Sequence, residues 1–179
     1  MAHYFYADRV RYYVEDLPTL RFDNLGGAKV PVEIRAVLDP EDKDAHPYRI
    51  EVHVELVNGR LGVSELTLRR RPDGPPLTSE MIRSVAVGEL VRWLYDKHGG
   101  GGSLSTLSVD GLEPTERRKE GQTERVLTAV ADTYRFAYVV NEPPTQAVMA
   151  YLDCSRATAK RWIAAAREHG LLDLLPGED

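Results

Sequence analysis

The sequence predicts an α+β fold. A small antiparallel sheet with one or two covering helices fills the first half of the 179-residue chain, and three helices follow at its end. Three observations carry this reading. Residues 48–56 alternate strictly, with Tyr48, Ile50, Val52, Val54 and Leu56 on one face and Arg49, Glu51, His53 and Glu55 on the other, the pattern of a half-buried antiparallel strand. Asn58-Gly59 follows at once, a two-residue hairpin signal. From Thr123 onward apolar residues instead recur every three and four positions, the helical period.

The remaining elements of the first half, residues 1–98, fall into place around that hairpin. Residues 9–14 and 30–38 are candidate strands, the second alternating Val32, Ile34, Ala36 and Leu38 against Glu33 and Arg35. Residues 65–71 form the return strand, and the Pro72-Asp73-Gly74-Pro75-Pro76 turn ends it, for about four strands in all. Thr78 or Ser79 then caps a helix. Met81, Ile82, Val85, Val87, Leu90, Val91 and Leu94 carry the helical spacing to His98. Residues 99–122 open with Gly99-Gly100-Gly101-Gly102-Ser103 and hold few apolar anchors, which predicts a flexible linker, with residues 110–122 either continuing it or forming a short, charged, frayed helix. A phosphate-cradling loop needs a strand before the glycines, a helix after them and a Lys-Ser/Thr pair; this run has none of that context.

Composition narrows the function. With 42% hydrophobic and 28% charged residues the chain is an ordinary globular protein rather than a disordered one. No apolar run approaches the roughly 18 residues of a membrane span, and the N-terminus lacks the basic-then-apolar pattern of a leader. The single cysteine, Cys154, excludes an internal disulfide and fits a reducing, cytoplasmic location. A net charge of −5 excludes binding of nucleic acid by bulk positive charge but leaves room for a local basic face.

The last 57 residues, 123–179, carry that face. A first helix is expected over 123–140, with Leu127, Val130, Tyr134 and Ala137/Tyr138 on one face, stopped by Asn141-Glu142-Pro143-Pro144. A short second helix over 145–152 and a tight Asp153-Cys154 connection come next. Ser155 then caps a third helix running to Glu168 or His169, with Gly170 as its stop. A short helix, a three-residue turn and a capped longer helix make a helix-turn-helix pattern. At about 100° per residue, Ala159, Trp162, Ile163 and Ala166 of the third helix gather on an inward face. Ala157, Lys160, Arg161 and Ala164 face outward, flanked by Arg156 and Arg167 on one edge and by Thr158 on the other. Arginine pairs with guanine edges, lysine and threonine hold phosphates, and small alanines let the backbone approach a groove floor.

The stretch Pro143-Pro144-Thr145-Gln146-Ala147-Val148, continued by Ser155-Arg156-Ala157-Thr158-Ala159-Lys160-Arg161-Trp162-Ile163, resembles the helix-turn-helix segment of bacterial regulators. Its Ser-Arg-Ala-Thr-Ala-Lys-Arg core is similar to the start of the recognition helix in lac-repressor-like groups. The whole chain resembles actinobacterial, phage and mobile-element proteins that join a small N-terminal domain to such a tail. The resemblance implies phosphate contacts by Ser155 and Thr158, and base contacts by Arg156, Ala157 and Arg161. Thr145 and Gln146 at the start of the second helix, with Lys160 and Arg167, complete the expected DNA-binding set. Asp153 stands where the family turn carries glycine, and Met149 where it carries a small residue.

The reading is therefore sequence-specific double-stranded DNA binding by a transcriptional regulator, with helix 155–169 in the major groove. The expected further partner is a second copy or another protein, held through the N-terminal domain. The alternative is a protein-interaction adaptor whose helix-turn-helix is structural only. No enzyme, metal or cofactor is expected. His3, His46, His53, His98 and His169 include no pair at one-turn spacing, and His53 reads as an exposed side chain. The acidic run from Asp39 to Asp44 lacks the glycine and closing glutamate of a calcium loop and reads as a solvated hairpin loop. Arg69-Arg70-Arg71 reads as a charged strand edge before a phosphate contact. Cys154, in the turn, reads as an inward-packed thiol.

Overall fold

A computed structural model describes residues 5–7, 10–14, 18–25, 28–41, 48–72, 74–98 and 114–178. The strands are β1 (Phe5–Ala7), β2 (Val10–Val14), β3 (Thr19–Leu25), β4 (Ala28–Pro40), β5 (Tyr48–Val57) and β6 (Arg60–Arg70). The helices are α1 (Ser79–Ser84), α2 (Val87–His98), α3 (Pro114–Glu120), α4 (Glu124–Val139), α5 (Pro144–Leu152) and α6 (Arg156–Glu168). The fold is α+β with an antiparallel sheet, as the patterning predicts, but six strands replace the expected four among the described residues.

The sheet runs β1-β2-β4-β5-β6, and the 13-residue β4 explains its one irregularity. β5 takes one edge of β4 over residues 33–38. The other edge is shared, by β3 against residues 28–35 and by β2 against residues 38–40. Pro31 has no amide hydrogen to give the ladder, and it lies opposite Phe22 where the β3 register shifts. β5 alternates as the sequence demands: Tyr48, Ile50, Val52 and Val54 are buried with Ile34, Ala36 and Leu38 of β4.

Two polar residues depart from expectation. His53, expected to stand exposed, keeps 16% of its side-chain surface, and its Nε2 lies 3.0 Å from Glu33 Oε1. Asp39, expected in a solvated loop, is fully buried at the end of β4. Its carboxylate accepts from Arg49 Nε (3.1 Å) and Nη2 (2.8 Å) and from Arg71 Nη2 (2.9 Å). Burial of a carboxylate demands such partners, and these arginines come from the adjoining ends of β5 and β6.

The β5–β6 turn has the expected geometry, with positive φ at Asn58 (52°) and Gly59 (75°). A Cβ on Gly59 would also come 3.1 Å from Pro176 and from the Tyr138 ring, so the hairpin tip touches the C-terminal helices. Gly59→Ala is therefore expected to cost about 1–2 kcal/mol, from the left-handed conformation and the forced displacement together. Urea unfolding checks this; an unchanged midpoint would contradict it.

Thr78 caps α1, accepting from the Met81 amide at 3.2 Å. Val85 then turns extended (φ −76°, ψ 99°), which resets the helical phase. Val87, past this break, is 40% exposed and Ile82 of α1, next to the buried Met81, is 55% exposed, though both were expected inside, while Leu90, Val91 and Leu94 of α2 are buried.

Of the stretch read as a linker, residues 99–113 lie outside the described residues. Its end is α3, closed by Gly121 at φ 77°. Among the α3 residues whose burial is described, the buried one is Arg117, whose guanidinium lies 4.4 Å from the Tyr151 ring centre and donates to the Tyr151 carbonyl at 3.2 Å.

α4 begins and ends where expected, with Thr123 as its cap. It is buried nearly all round rather than on one face, because Val126, Ala131, Thr133, Arg135, Phe136 and Val139 are covered too. Phe136 meets Tyr95 of α2 with ring centres 5.2 Å apart, and α4 also packs against α5 and α6. One continuous apolar core thus joins the inner sheet face, α2 and the three C-terminal helices. No helix among the described residues is long and apolar enough to cross a membrane.

Candidate nucleic-acid interface

α5 and α6 are built by three local devices. Pro143 and Pro144 open α5, where a missing amide hydrogen costs nothing and a fixed φ helps. Asp153 closes it in the left-handed conformation (φ 46°, ψ 59°), with its amide and that of Cys154 returning to Ala150 and Met149. Asp is one of the few side chains that adopts this conformation at moderate cost, so the turn forms where the family pattern has glycine. Ser155 then caps α6; its Oγ accepts from the Thr158 amide at 3.3 Å and lies 3.1 Å from the Thr158 hydroxyl.

One face of α6 is fixed by packing. Ala159, Trp162, Ile163, Ala165 and Ala166 are buried against α4 and α5. Met149, where the family pattern has a small residue, is half-buried and packs on the same core. The C-terminal segment clamps this arrangement. Glu178 accepts from the Tyr134 hydroxyl, from Arg167 (2.8 Å) and from the Leu175 amide (3.0 Å), and Tyr138 donates to the Pro176 carbonyl. Burial, with the Glu178 hydrogen bond, pushes the Tyr134 phenol up to about 12, so it stays a donor at any physiological pH.

The opposite face of α6 is open. Arg156, Ala157, Lys160, Arg161 and Ala164 are exposed, and Arg156, Lys160 and Arg161 have no ion-pair partner among the described residues. Ser155 is exposed and Thr158 half-buried beside them, at the N-terminal end where helix amides favour an anion. Gln146 is exposed and Thr145 half-buried in the first turn of α5. Arg167 does not join the group: it pairs with Glu178 and lies 5.5 Å from the Tyr134 ring centre. The four cations expected on the outer face are therefore three.

Other sequence candidates are engaged in the fold. Arg69 pairs with Glu51 across β5–β6, Arg70 donates to the Gly74 carbonyl, and Arg71 holds Asp39. Cys154 is half-buried, and burial raises its thiol above the usual range, so the helix start beside it does not make it a thiolate.

Sequence reasoning missed two features of this region. One is the Arg167–Glu178 clamp, for which Leu171, Leu172 and Leu175 near the C-terminus were an available apolar signal. The other is the anchoring of α3, a short charged helix the sequence did offer, which sets Arg118 Nη2 3.8 Å from Asp153 Oδ2 in the turn. No known family, curated protein or solved structure matches the chain.

Proposed function

We propose that α4, α5 and α6 form a helix-turn-helix, that the chain binds double-stranded DNA sequence-specifically as a transcriptional regulator, and that α6 is its recognition helix. The observation that carries this is the open face of α6: three cations without ion partners among the described residues, interleaved with Ala157 and Ala164, on a helix whose other face is locked into the core. Packing of this kind holds side chains in the register that base reading requires. Arg156 and Arg161 are placed for guanine O6/N7 or for phosphate, Lys160 for phosphate, and Ala157 for a thymine methyl. Ser155 and Gln146, at the starts of α6 and α5, suit the flanking backbone. A single module of this size binds weakly, so the reading includes a homodimer or a second protein bound through the sheet half.

A net charge of −5 means that affinity comes from this small footprint and not from the whole surface. Binding to a mixed-sequence duplex is thus expected to fall with salt, with a log–log slope of about −3 or steeper for three neutralised phosphates. Fluorescence anisotropy across a salt series measures it. No binding even at roughly 50 mM salt would count against the proposal.

The same negative charge favours a second reading, a protein-interaction adaptor whose C-terminal helices are purely structural. In that case the exposed cations of α6 serve solubility, and their reversal leaves partner binding intact.

A further inference from the structure

We infer that α3 belongs to the DNA interface and that Arg118 is its backbone-phosphate contact; this rests on the reading of α6 given above. Three observations place it there. Arg117 anchors α3 by stacking on Tyr151 and donating to its carbonyl, so the helix is fixed against the C-terminal end of α5. That anchoring brings Arg118 Nη2 to 3.8 Å from Asp153 Oδ2, two residues before the Ser155 cap of α6. Both side chains remain open to solvent, Arg118 at 39% and Asp153 at 72%, so the pair is weak and the guanidinium is free to turn to a stronger anion.

The position has a physical rationale. An exposed carboxylate at the entrance to a DNA-facing helix repels phosphate. Asp153 takes the left-handed position of the turn there, and Arg118 supplies the charge that cancels it. With a duplex in place, the guanidinium presents two parallel N–H groups to a phosphate oxygen pair, a geometry that lysine lacks and arginine favours. The adjacent Lys119 is exposed and lies about 200° around the helix from the buried Arg117, on the side away from α5. It carries the same charge without the same placement.

The contact is with backbone, so it adds affinity to every duplex and no sequence preference. The test compares the full-length protein with Arg118→Ala, Arg118→Lys and Lys119→Ala on one duplex across a salt series, with Lys160→Glu/Arg161→Glu as the control for the underlying reading. Circular dichroism of each variant confirms that the fold is retained. Arg118→Ala is expected to weaken binding roughly five- to tenfold near 0.1 M salt and to flatten the salt slope by about one, with base preference unchanged. Arg118→Lys recovers most of the slope, and Lys119→Ala leaves the slope unchanged. Equal losses for Arg118→Ala and Lys119→Ala would reduce the effect to net charge and overturn the assignment. So would an unchanged slope in Arg118→Ala while the α6 control abolishes binding. Failure of the α6 control itself to weaken binding would sink the reading beneath both.

Discussion

Lys160→Glu/Arg161→Glu is expected to abolish binding to duplex DNA while leaving the fold intact. Both side chains are exposed and have no ion partner among the described residues, so reversing them removes no native contact. Surface changes of this kind typically alter stability by less than about 0.5 kcal/mol. At the interface the effect is of another order. Two attractive contacts become two repulsive ones facing a phosphate array, and each lost contact alone flattens the salt slope by about one. A fall in affinity of at least about a hundredfold follows, read by anisotropy, with the melting curve as the control for folding. Retained binding in this variant would show that α6 is not the reading element.

The largest expected effect on stability is at the other end of the molecule. Asp39 is fully buried, and Arg49 and Arg71 reach it from β5 and β6. Asp39→Ala removes the buried carboxylate from two guanidinium groups whose side chains are only 35% and 29% exposed. Removing one partner from a buried ion cluster costs about 3–5 kcal/mol, and the partial exposure of the arginines puts this case near about 3. For a chain of this size that corresponds to a drop of roughly 6–12 °C in Tm. Arg69→Ala is the internal comparison. It breaks the Arg69–Glu51 pair between residues that are 65% and 33% exposed, and about 0.5 kcal/mol or less is expected. Equal shifts for the two variants, measured by thermal and urea unfolding, would contradict the distinction between a buried cluster and a surface pair.

What the sequence made legible follows from where each signal lies. β5 was readable because one face is buried and the other wet, so Tyr48, Ile50, Val52 and Val54 alternate without exception. The Pro143-Pro144 break between two helices, the Ser155 cap and the inward set Ala159, Trp162, Ile163 and Ala166 were readable because caps and helical periods are local. β3 was not: Thr19–Leu25 offers Leu20 and Phe22 among Arg21, Asp23 and Asn24, and pairing with β4 rather than its own pattern makes it a strand. A short charged helix was one reading of the α3 stretch, but its docking was hidden because it is made by an arginine, Arg117, which a search for apolar stripes passes over. The depth of α4 was hidden for a related reason: Thr133 and Arg135 are polar by type, yet are buried.

The site shows the same division. Arg156, Ala157, Lys160 and Arg161 stand where the helical wheel puts them, because one helix fixes their angles. Arg167 is on the same helix, but its charge is engaged by Glu178, which lies beyond the end of that helix. Asp39 was misread for the same reason, its arginines being 10 and 32 residues further along the chain. Ion pairs between distant positions leave no periodic trace in a sequence.

The most direct measurement is selection from a random duplex pool by the full-length protein, at two salt concentrations, beside Lys160→Glu/Arg161→Glu. The account predicts that the wild type enriches one motif, more sharply at the higher salt where nonspecific phosphate binding fades, and that the variant enriches nothing. Equal and negligible retention of both proteins, or one motif enriched by both, would contradict the assignment of α6 as a DNA-reading helix.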